Sequence, residues 1–404
     1  MKQFIPFFMI LSLAFEVTSQ AQGIKRESNS SYPKFKAHTV ASLQNGYQLK
    51  IADINNDGRP DIIALSTSPS TLEWYENPSW QKHIISSQTD YNISLALEDI
   101  DKDGWIDIAL ASDFELNESG RQGRISWLRN PGKKNDKWVK YSIGSVPHSH
   151  RLFWADFEGY GTNYLVDAPV VGKGAKSPNY DIPARLTAFK IPNNPASDHW
   201  KSTLIDQSLT VIHGFQIIDW NNDGYDDVLT ASFQGITLFQ TQNNSNNLSW
   251  KKIHLVSGNQ KTSPSRGSSE IGMGIINGKR FMATIEPWHG NQVVVYVMKN
   301  GQWNRNDLYN KFVSGHGLTL ADLDDDGSDE IIAGYRGKGT SLFAWQCKID
   351  DPNQWEKIDI DVGDMATSCV RTADINQDGN TDIVSIGSST NNIKWYENIS
   401  PSDN

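Results

Sequence analysis

The stretch DLDDDGSDE, residues 322–330, gathers carboxylates around a single glycine, and its pattern recurs along the chain. The pattern is D-x-D/N-x-D-G-x-x-D/E, and it also fits DINNDGRPD at 53–61, DIDKDGWID at 99–107, DWNNDGYDD at 219–227 and DINQDGNTD at 374–382. A sixth segment, DFEGYGTNY at 156–164, keeps the spacing but has tyrosines in place of two carboxylates. The chain is therefore built from repeats.

The spacing of these segments predicts seven units. Successive starts lie roughly 54 residues apart, a period typical of propellers and other repeat arrays. The gap between residues 219 and 322 is about twice as long, which indicates a hidden unit near residues 270–285. Each unit also repeats short strands rich in β-branched and aromatic residues, such as DIIALS, LEWYENP and WQKHII in the first unit. We therefore predict an all-β fold, a single seven-bladed β-propeller over residues 23–404.

The two ends of the repeat array complement each other. The last unit ends after its third strand, IKWYENI, whereas the segment FKAHTVAS at 35–42 has the pattern of a fourth strand. We expect this N-terminal strand to complete the last blade and close the ring, because closure removes exposed sheet edges.

Composition and the N-terminus limit the function classes. Residues 1–22 have the pattern of a secretory signal peptide, so we expect a protein that is secreted or periplasmic, without a membrane span. The net charge of -10 argues against a nucleic-acid partner. Cys347 and Cys369 could form one disulfide, ligate a metal or be two buried thiols, and we prefer the last interpretation. We expect a monomer.

The repeated acidic loops have the composition of calcium sites. Oxygen ligands at positions 1, 3, 5 and 9 around a glycine at position 6 suit calcium. These are not EF-hands, because position 12 holds Ala64 and Ala333 instead of glutamate. A site repeated around a ring favours a structural role, pinning the first two strands of each blade, over a catalytic metal. The expected calcium ligands are Asp53, Asn55, Asp57, Asp61, Asp99, Asp101, Asp103, Asp107, Asp219, Asn221, Asp223, Asp227, Asp322, Asp324, Asp326, Glu330, Asp374, Asn376, Asp378 and Asp382.

Three histidines share one offset from these segments. His150, His213 and His316 each stand six residues before the start of an acidic segment. The first strand of a propeller blade lines the central channel, so we expect these histidines to converge at the channel mouth opposite the acidic loops. The loops between second and third strands should reach the same mouth. The candidate catalytic residues are His148, His150, Tyr180, Arg185, His213, His289, His316 and Arg336.

Imidazoles, a phenol and guanidinium groups in one pocket suit an elimination beside a carbonyl or carboxylate. A histidine or tyrosine removes the α-proton, another group protonates the departing oxygen, and a cation or metal stabilises the enolate-like intermediate. A glycosidase carboxylate pair stays open as an alternative, because acidic residues are plentiful.

The acidic loops resemble the FG-GAP or VCBS repeats of integrin-type seven-bladed propellers, over nearly the whole chain after residue 22. This motif indicates fold more than function. Three stretches are more specific: VPHSHRLFWADFEGYGTNYLVDAPVVGKGAKSPNYDIPARL at 146–186, ATIEPWHGNQVVVY at 283–296 and SGHGLTLADLDDDGSDEIIAGYRG at 314–337. They resemble the propeller domain of aldos-2-ulose dehydratase and its relatives and, more distantly, the propeller-type ulvan lyases.

This resemblance implies a sugar dehydratase with a site formed by His148, His150, Tyr180, His213, His289 and His316. We expect β-elimination of water from oligosaccharides that contain uronic acid, such as ulvan fragments. His150 or Tyr180 would transfer protons. His213, His289 and His316 would hold a divalent metal such as zinc, or polarise the substrate. Arg336 and Arg185 are candidates for neutralising a carboxylate. The alternatives are an ulvan-type polysaccharide lyase and a non-catalytic calcium propeller that binds glycans or proteins.

Overall fold

The computed structural model describes residues 32–86, 88–116, 120–134, 136–244, 247–348 and 351–400. The expected signal peptide at 1–22 lies outside these residues. The described chain forms seven four-stranded antiparallel sheets, which confirms the all-β seven-bladed propeller. In this part of the chain, no helix has the length and apolar character needed to cross a membrane.

Each blade takes four strands. Blade 1 consists of β2 (Gly46–Ala52), β3 (Asp61–Thr67), β4 (Ser70–Glu76) and β5 (Gln81–Ser86), and blade 2 of β6 (Ser94–Glu98), β7 (Asp107–Ser112), β8 (Arg124–Arg129) and β9 (Val139–Gly144). Blade 3 consists of β10 (Ser149–Ala155), β11 (Tyr164–Pro169), β12 (Leu186–Lys190) and β13 (Ser202–Asp206). Blade 4 consists of β14 (Gly214–Ile218), β15 (Asp227–Ser232), β16 (Gly235–Asn244) and β17 (Asn247–Val256). Blade 5 consists of β18 (Glu270–Ile276), β19 (Lys279–Glu286), β20 (Gln292–Lys299) and β21 (Gln302–Tyr309). Blade 6 consists of β22 (Gly315–Ala321), β23 (Glu330–Tyr335), β24 (Ser341–Lys348) and β25 (Asp351–Val362).

Blade 7 joins strands from the two ends of the array. It consists of β26 (Thr367–Ala373), β27 (Asp382–Gly387), β28 (Asn392–Asn398) and β1 (Phe35–Ser42). β1 pairs antiparallel with β28, from Phe35 opposite Asn398 to Ser42 opposite Asn392. The inner strands contact one another in sequence around the channel, and β26 packs against β2. The first and last blades are therefore neighbours.

The hydrophobic core lies between the blades. Second strands such as β3 and β15 are almost wholly buried, because each is covered by a neighbouring blade on both faces. Outer strands such as β5 alternate between exposed and covered positions. One apolar cluster fills each interface; that between blades 1 and 2, for example, contains Ile63, Leu65, Leu95 and Ile108. Burying each such side chain contributes roughly 1.5–3 kcal/mol.

The acidic loops connect the first and second strands of five blades, and their first carboxylate organises the turn. In blade 1, Asp53 accepts hydrogen bonds from the backbone N–H groups of Asp57 at 3.0 Å and Gly58 at 2.8 Å. The other four loops repeat both bonds. Gly58 has a φ of 84°, a conformation that favours glycine and explains the glycine at position 6.

The ninth-position carboxylates tie the loops to the third strands. Asp107 accepts from the backbone N–H of Ile100 at 3.2 Å and of Asn130 at 2.7 Å. The Asn130 side chain then donates to the carbonyl of Ile54 in the preceding blade at 3.0 Å. Equivalent asparagines at 77 and 398 make the same link to their own preceding blades. The recurring N of the ENP, RNP and ENI sequences therefore joins consecutive blades.

The donor set of the acidic loops fits a hard cation. In two loops, three carboxylates bring oxygen atoms within 4.8 Å of one another: Asp99, Asp101 and Asp107, and Asp322, Asp324 and Glu330. The pKa of the ninth-position acid is raised, mainly by burial, to about 7 at Asp107 and about 9 at Glu330. A bound cation would offset that penalty. In the second of the five loops, Arg129 also bonds Asp101 and Asp103, at 2.5 and 2.7 Å.

The two divergent blades replace the acidic loop differently. In blade 3, the Lys190 ammonium bonds both carboxylate oxygens of Glu158, at 2.7 and 2.8 Å, and Tyr164 donates to the same carboxylate at 3.0 Å. An internal cation thus lies beside this loop. In blade 5, β18 and β19 are joined by the short turn at Asn277 and Gly278, which accounts for the hidden repeat.

The two cysteines are buried thiols and form no disulfide with each other, Cys347 on β24 and Cys369 on β26. The preferred expectation of buried thiols is confirmed.

Candidate active site

Four histidines meet at one mouth of the channel. His213, from the loop before β14, lies centrally: its ring centroid is 4.8 Å from that of His150, 4.5 Å from His289 and 5.0 Å from His316. His150 and His316 come from the starts of inner strands, and His289 from the loop between β19 and β20. Inner-strand starts and second-to-third-strand loops thus face the same opening, opposite the acidic loops.

The hydrogen bonds assign the ring protons of two of these imidazoles. His316 Nδ1 lies 2.6 Å from the carbonyl oxygen of Ser368, which can only accept, so Nδ1 carries the proton. His213 Nδ1 is hydrogen-bonded with Ser269 Oγ at 3.2 Å and lies 2.9 Å from Glu270 Oε1, and the nearby carboxylate favours the ring proton on this Nδ1. In the neutral rings, both Nε2 atoms are therefore bare lone pairs. His289 Nε2 lies 2.8 Å from His213 Nε2.

Tyr47 connects two of the histidines. Its hydroxyl lies 2.9 Å from His150 Nε2 and 3.2 Å from His316 Nε2. Arg151 Nη1 donates to His150 Nε2 at 3.1 Å, so this Nε2 is also an acceptor and the proton of neutral His150 is on Nδ1. His150 Nδ1 is buried and has no hydrogen-bond partner among the described residues. One phenolic proton thus stands between two basic nitrogens, and a buried N–H remains available to a ligand.

The site carries more positive than negative charge. Arg151 Nη2 bonds Glu270 Oε1 at 3.3 Å. Burial alone would lower the pKa of Arg151, but Tyr47 and Glu270 raise it above its usual value. Burial lowers the pKa of Arg336, and the nearby charge of Arg151 lowers it further. Burial raises the pKa of Glu270, against the opposing effect of Arg151.

The histidines are held neutral. Burial lowers the pKa of all four imidazoles well below 6.5, and the positive charges of Arg151 and Arg336 lower it further. Neutral imidazoles at physiological pH can accept a proton or ligate a metal.

An aromatic wall supports the cluster. The Trp288 ring stacks on His289 with centroids 4.8 Å apart, and Tyr180 meets Trp288 edge-on at 5.6 Å. Tyr180 is 5% exposed and packs in an apolar cluster with Val211 and Phe233. Tyr180 therefore lies behind Trp288, one ring removed from the histidines.

Two other candidates make different contacts. His148 Nδ1 donates to the carbonyl of Glu115 at 2.5 Å, so its ring anchors the loop after β7. Arg185 is exposed and donates to Gln207 at 2.7 Å, so the structure does not bring it to the cluster. Its position in sequence suggested the mouth, but its side chain extends toward the outer edge of its blade. Arg336 is half-buried and near enough to Tyr47, Arg151 and Glu270 for their charges to shift its pKa.

Sequence reasoning missed Tyr47, Arg151, Glu270 and Ser368. The six-residue offset contains a signal for two of them: Tyr47 stands six residues before the loop at 53, and Ser368 six before the loop at 374. Arg151 follows His150 directly, but no pattern indicated that it would turn into the channel. Glu270 lies in the blade that lacks an acidic loop, so no offset could be counted.

An open groove adjoins the cluster. It has a volume of about 650 Å³ and is lined by Tyr91, Asp113, Phe114, Glu115, Leu116, Gly120 and Arg121. The Phe114 ring lies 5.6 Å from that of His150. Arg121 covers the Tyr91 ring at 3.7 Å and bonds Asp113 at 2.7 Å. Aromatic rings beside charged groups give a surface that could contact sugar rings next to the histidines.

The histidine set fits a divalent cation. Ligand atoms of His213, His289 and His316 lie within 4.8 Å of one another. Two of these rings have Nδ1 fixed by a carboxylate or a carbonyl, which leaves Nε2 bare, as in most metal-ligating histidines.

The fold and this site define a class: a seven-bladed propeller with a buried cluster of histidines at one end of its channel. Residues 122–299 match the family model of the aldos-2-ulose dehydratase β-propeller domain, and residues 53–110 match that of an FG-GAP-like repeat. The chain is 24% identical over 392 residues to aldos-2-ulose dehydratase of Phanerodontia chrysosporium. That alignment covers 89% of this chain and 42% of the relative. The resemblances to FG-GAP-like repeats and to the aldos-2-ulose dehydratase propeller are confirmed, and the more distant resemblance to ulvan lyases stays a prediction.

A solved structure shares the fold. A crystal structure of BBS1N in complex with ARL6DN has a TM-score of 0.54 at 10% identity, and the match covers 91% of this chain and 97% of that one. An Agrocybe aegerita lectin that recognises non-reducing terminal N-acetylglucosamine has a TM-score of 0.47 at 15% identity, with 78% and 81% covered.

Proposed function

We propose that this protein is an exported carbohydrate dehydratase that removes water from acidic sugars by β-elimination. The observation that carries the proposal is the meeting of four neutral imidazoles, one tyrosine and two arginines in one buried site. Similarity to the aldos-2-ulose dehydratase propeller supports a dehydratase-like reaction on a sugar.

Proton transfer is assigned to Tyr47 with His150 and His316. The unprotonated Nε2 of His150 or His316 takes the proton from the carbon next to a carbonyl or carboxylate, and the C–H bond breaks. The electron pair forms a C=C bond as the hydroxyl on the β-carbon leaves, and Tyr47 donates the proton that makes the departing group water. Tyr180 was the tyrosine expected from sequence, and its place behind Trp288 favours Tyr47 for this role.

The negative charge that develops on the substrate oxygen requires positive partners. Arg151 and Arg336 lie around Tyr47 and supply them inside a buried site, where electrostatic stabilisation is strong. A divalent cation such as zinc, bound by His213, His289 and His316, would add Lewis-acid polarisation of the substrate carbonyl. Calcium in the acidic loops would act on the scaffold alone.

The groove beside His150 favours an oligosaccharide substrate. Its volume of about 650 Å³ is within the range of ~300–1,000 Å³ usual for ligand pockets. The same groove supports the second candidate, an ulvan-type polysaccharide lyase, in which a sugar instead of water leaves. A glycan-binding propeller without catalysis is the third.

The test uses metal-replete protein and a panel of oligosaccharides that contain uronic acid, including ulvan fragments. We expect new ultraviolet absorbance from the conjugated product and a mass loss of one water. Chain scission with the same absorbance would replace the dehydratase by the lyase. Binding without absorbance, unchanged in a His213→Gln variant, would leave only a binding module.

A further inference from the structure

Two cations lie in the channel without a carboxylate partner. Lys50 on β2 and Arg371 on β26 each stand three residues before the acidic loop of their own blade, and these two inner strands are neighbours. Among the described residues, neither forms an ion pair with a carboxylate. The described hydrogen bond of Arg371 goes to the carbonyl of Val370 at 2.7 Å, which leaves most of its donors free for a ligand.

The two cations disfavour each other. Lys50 Nζ lies 4.5 Å above the ring of Phe153. Burial, which is the largest cause, together with the positive charges of Arg371 and Arg151 lowers the pKa of Lys50 to about 7. Charges removed from water in this way need a partner of opposite sign to be stable.

A small cavity, which Arg371 lines and Lys50 does not, continues into the candidate active site. This cavity is lined by Arg371 and Arg151 together with Tyr47, His316 and Glu270. Glu270 is the one carboxylate in this lining, and it is already bonded by Arg151 and by His213. The free positive charge of the channel is therefore left for something that enters it.

We propose that the channel beneath the histidines is an oxyanion-binding site in which Lys50 and Arg371, assisted by Arg151, hold an acidic group of the sugar substrate. Guanidinium groups recognise planar and tetrahedral oxyanions through paired hydrogen bonds, and a lysine adds a point charge. The site would orient the sugar with its acidic group in the channel and its reacting carbon at Tyr47. This substrate assignment rests on the proposed dehydratase function, whereas the anion site itself does not.

The test measures binding by calorimetry on the metal-replete chain, with sodium glucuronate, its neutral amide and sodium sulfate as probes. The variants are Lys50→Met and Arg371→Met, and Lys140→Met, an exposed lysine on β9, is the matched control. We expect glucuronate to bind more tightly than the amide. Each channel variant should weaken glucuronate about tenfold, the loss expected for one charge-assisted hydrogen bond. The control should bind like the wild type.

Thermal unfolding without ligand separates loss of binding from loss of fold. Because removing an unpaired buried charge relieves repulsion, both channel variants should melt at or above the wild-type temperature. Lys50→Arg, which keeps the charge, should retain most of the glucuronate affinity.

The outcomes are separable. Unchanged glucuronate and sulfate binding in both variants overturns the anion site, even if the wild type dehydrates sugars. Sulfate binding that glucuronate does not compete away overturns the substrate assignment, because the site then holds a free inorganic ion. Lost glucuronate binding in the variants, together with a wild type that dehydrates nothing, supports the anion site and overturns the dehydratase.

Discussion

The two ends of the channel differ in how they use the same repeat. At one end, five blades have nearly the same acidic loop, and in each the first carboxylate accepts the same two backbone N–H groups. At the other end, the six equivalent positions hold four residue types: Tyr47, Ile93, His150, His213, His316 and Ser368. Repetition therefore marks what holds the ring together, and divergence marks the face at which we propose that one asymmetric ligand binds.

Blade 3 shows the contrast within one blade. It supplies His150 and Arg151 to the site, yet its acidic loop has been replaced by the pairing of Lys190 with Glu158. Loss of a repeated loop is tolerable because the other blades keep theirs. Loss of His150 would have no such substitute, since no other blade supplies its contacts to Tyr47 and Arg151.

The largest effect is expected at the centre of the histidine cluster. His213→Gln should lower kcat/KM for sugar dehydration by about 10³-fold, because His213 packs against His150 and His316, to which proton transfer is assigned, and such groups contribute about 10²–10⁴-fold. The melting temperature with calcium should stay close to that of the wild type. A variant that dehydrates at the wild-type rate would remove this face from catalysis.

Tyr47→Phe should lower kcat by about 10²-fold with little change in KM, because the hydroxyl acts in proton transfer and not in binding.

The four histidines stay neutral to well below pH 6.5, because burial lowers their pKa. The acid limb of the wild-type kcat/KM profile should therefore lie well below pH 6.5. An acid limb centred at 6.5 would show an exposed, unperturbed histidine as the base.

Calcium removal should lower stability and leave the histidine face chemically intact. One loop at hundredfold excess of calcium over its Kd contributes about 2.7 kcal/mol. Without a cation, the raised pKa of Asp61, about 7 against 3.8, gives stability that is present below pH 4 and lost as pH rises through 7. The difference in melting temperature between calcium and chelator should therefore grow from pH 4 to pH 7. A difference that is the same at both pH values would contradict carboxylate ligation.

Breaking one inter-blade link should have a smaller effect. Asn130→Ala removes the bond to the Ile54 carbonyl and leaves that buried acceptor unpaired, at a cost of about 1–3 kcal/mol. Urea unfolding measures the loss. Asn194→Ala, in an exposed turn of blade 3, is the matched control and should change stability less. Equal losses in both variants would mean that the link between blades contributes nothing beyond a local turn.

The smallest effect is expected at Arg185. Arg185→Ala should leave kcat and KM within about twofold of the wild type, because the side chain is exposed and bonds Gln207 alone among its described partners, in the manner of weak surface contacts. Arg336→Ala is the informative comparison, since that side chain lies in the charged group around Tyr47. A large loss of activity at Arg185 would move the substrate groove toward the outer edge of blade 3.

Much of the site followed from counting along the repeat. A constant offset from a loop becomes a similar height in the channel, because the inner strands of all blades run in the same direction and a strand rises by a nearly constant distance per residue. His150, His213 and His316 were found in this way, and Tyr47 and Ser368 were within reach of the same count. His289 required only the rule that loops between second and third strands open at the same end.

Arg185 and Tyr180 show where that count fails. Both lie in the loop between β11 and β12, which brings its backbone to the right end but does not fix which side chains turn inward. Packing decides that: Tyr180 fills an apolar cluster behind Trp288, and Arg185 reaches Gln207. Glu270 and Arg151 were decided in the same way, since only the closed ring brings blades 3 and 5 within bonding distance.

The sequence by itself determined the seven repeats, the strand types and the end of the channel at which the histidines gather, because these follow from periodicities that each strand carries locally. The tertiary structure alone decided the ring protons of His213 and His316, the sharing of Tyr47 between two imidazoles, and the unpaired charges of Lys50 and Arg371. The reason is that a hydrogen bond or a buried charge depends on atoms from blades far apart in the chain. Their distances are set only when the ring closes.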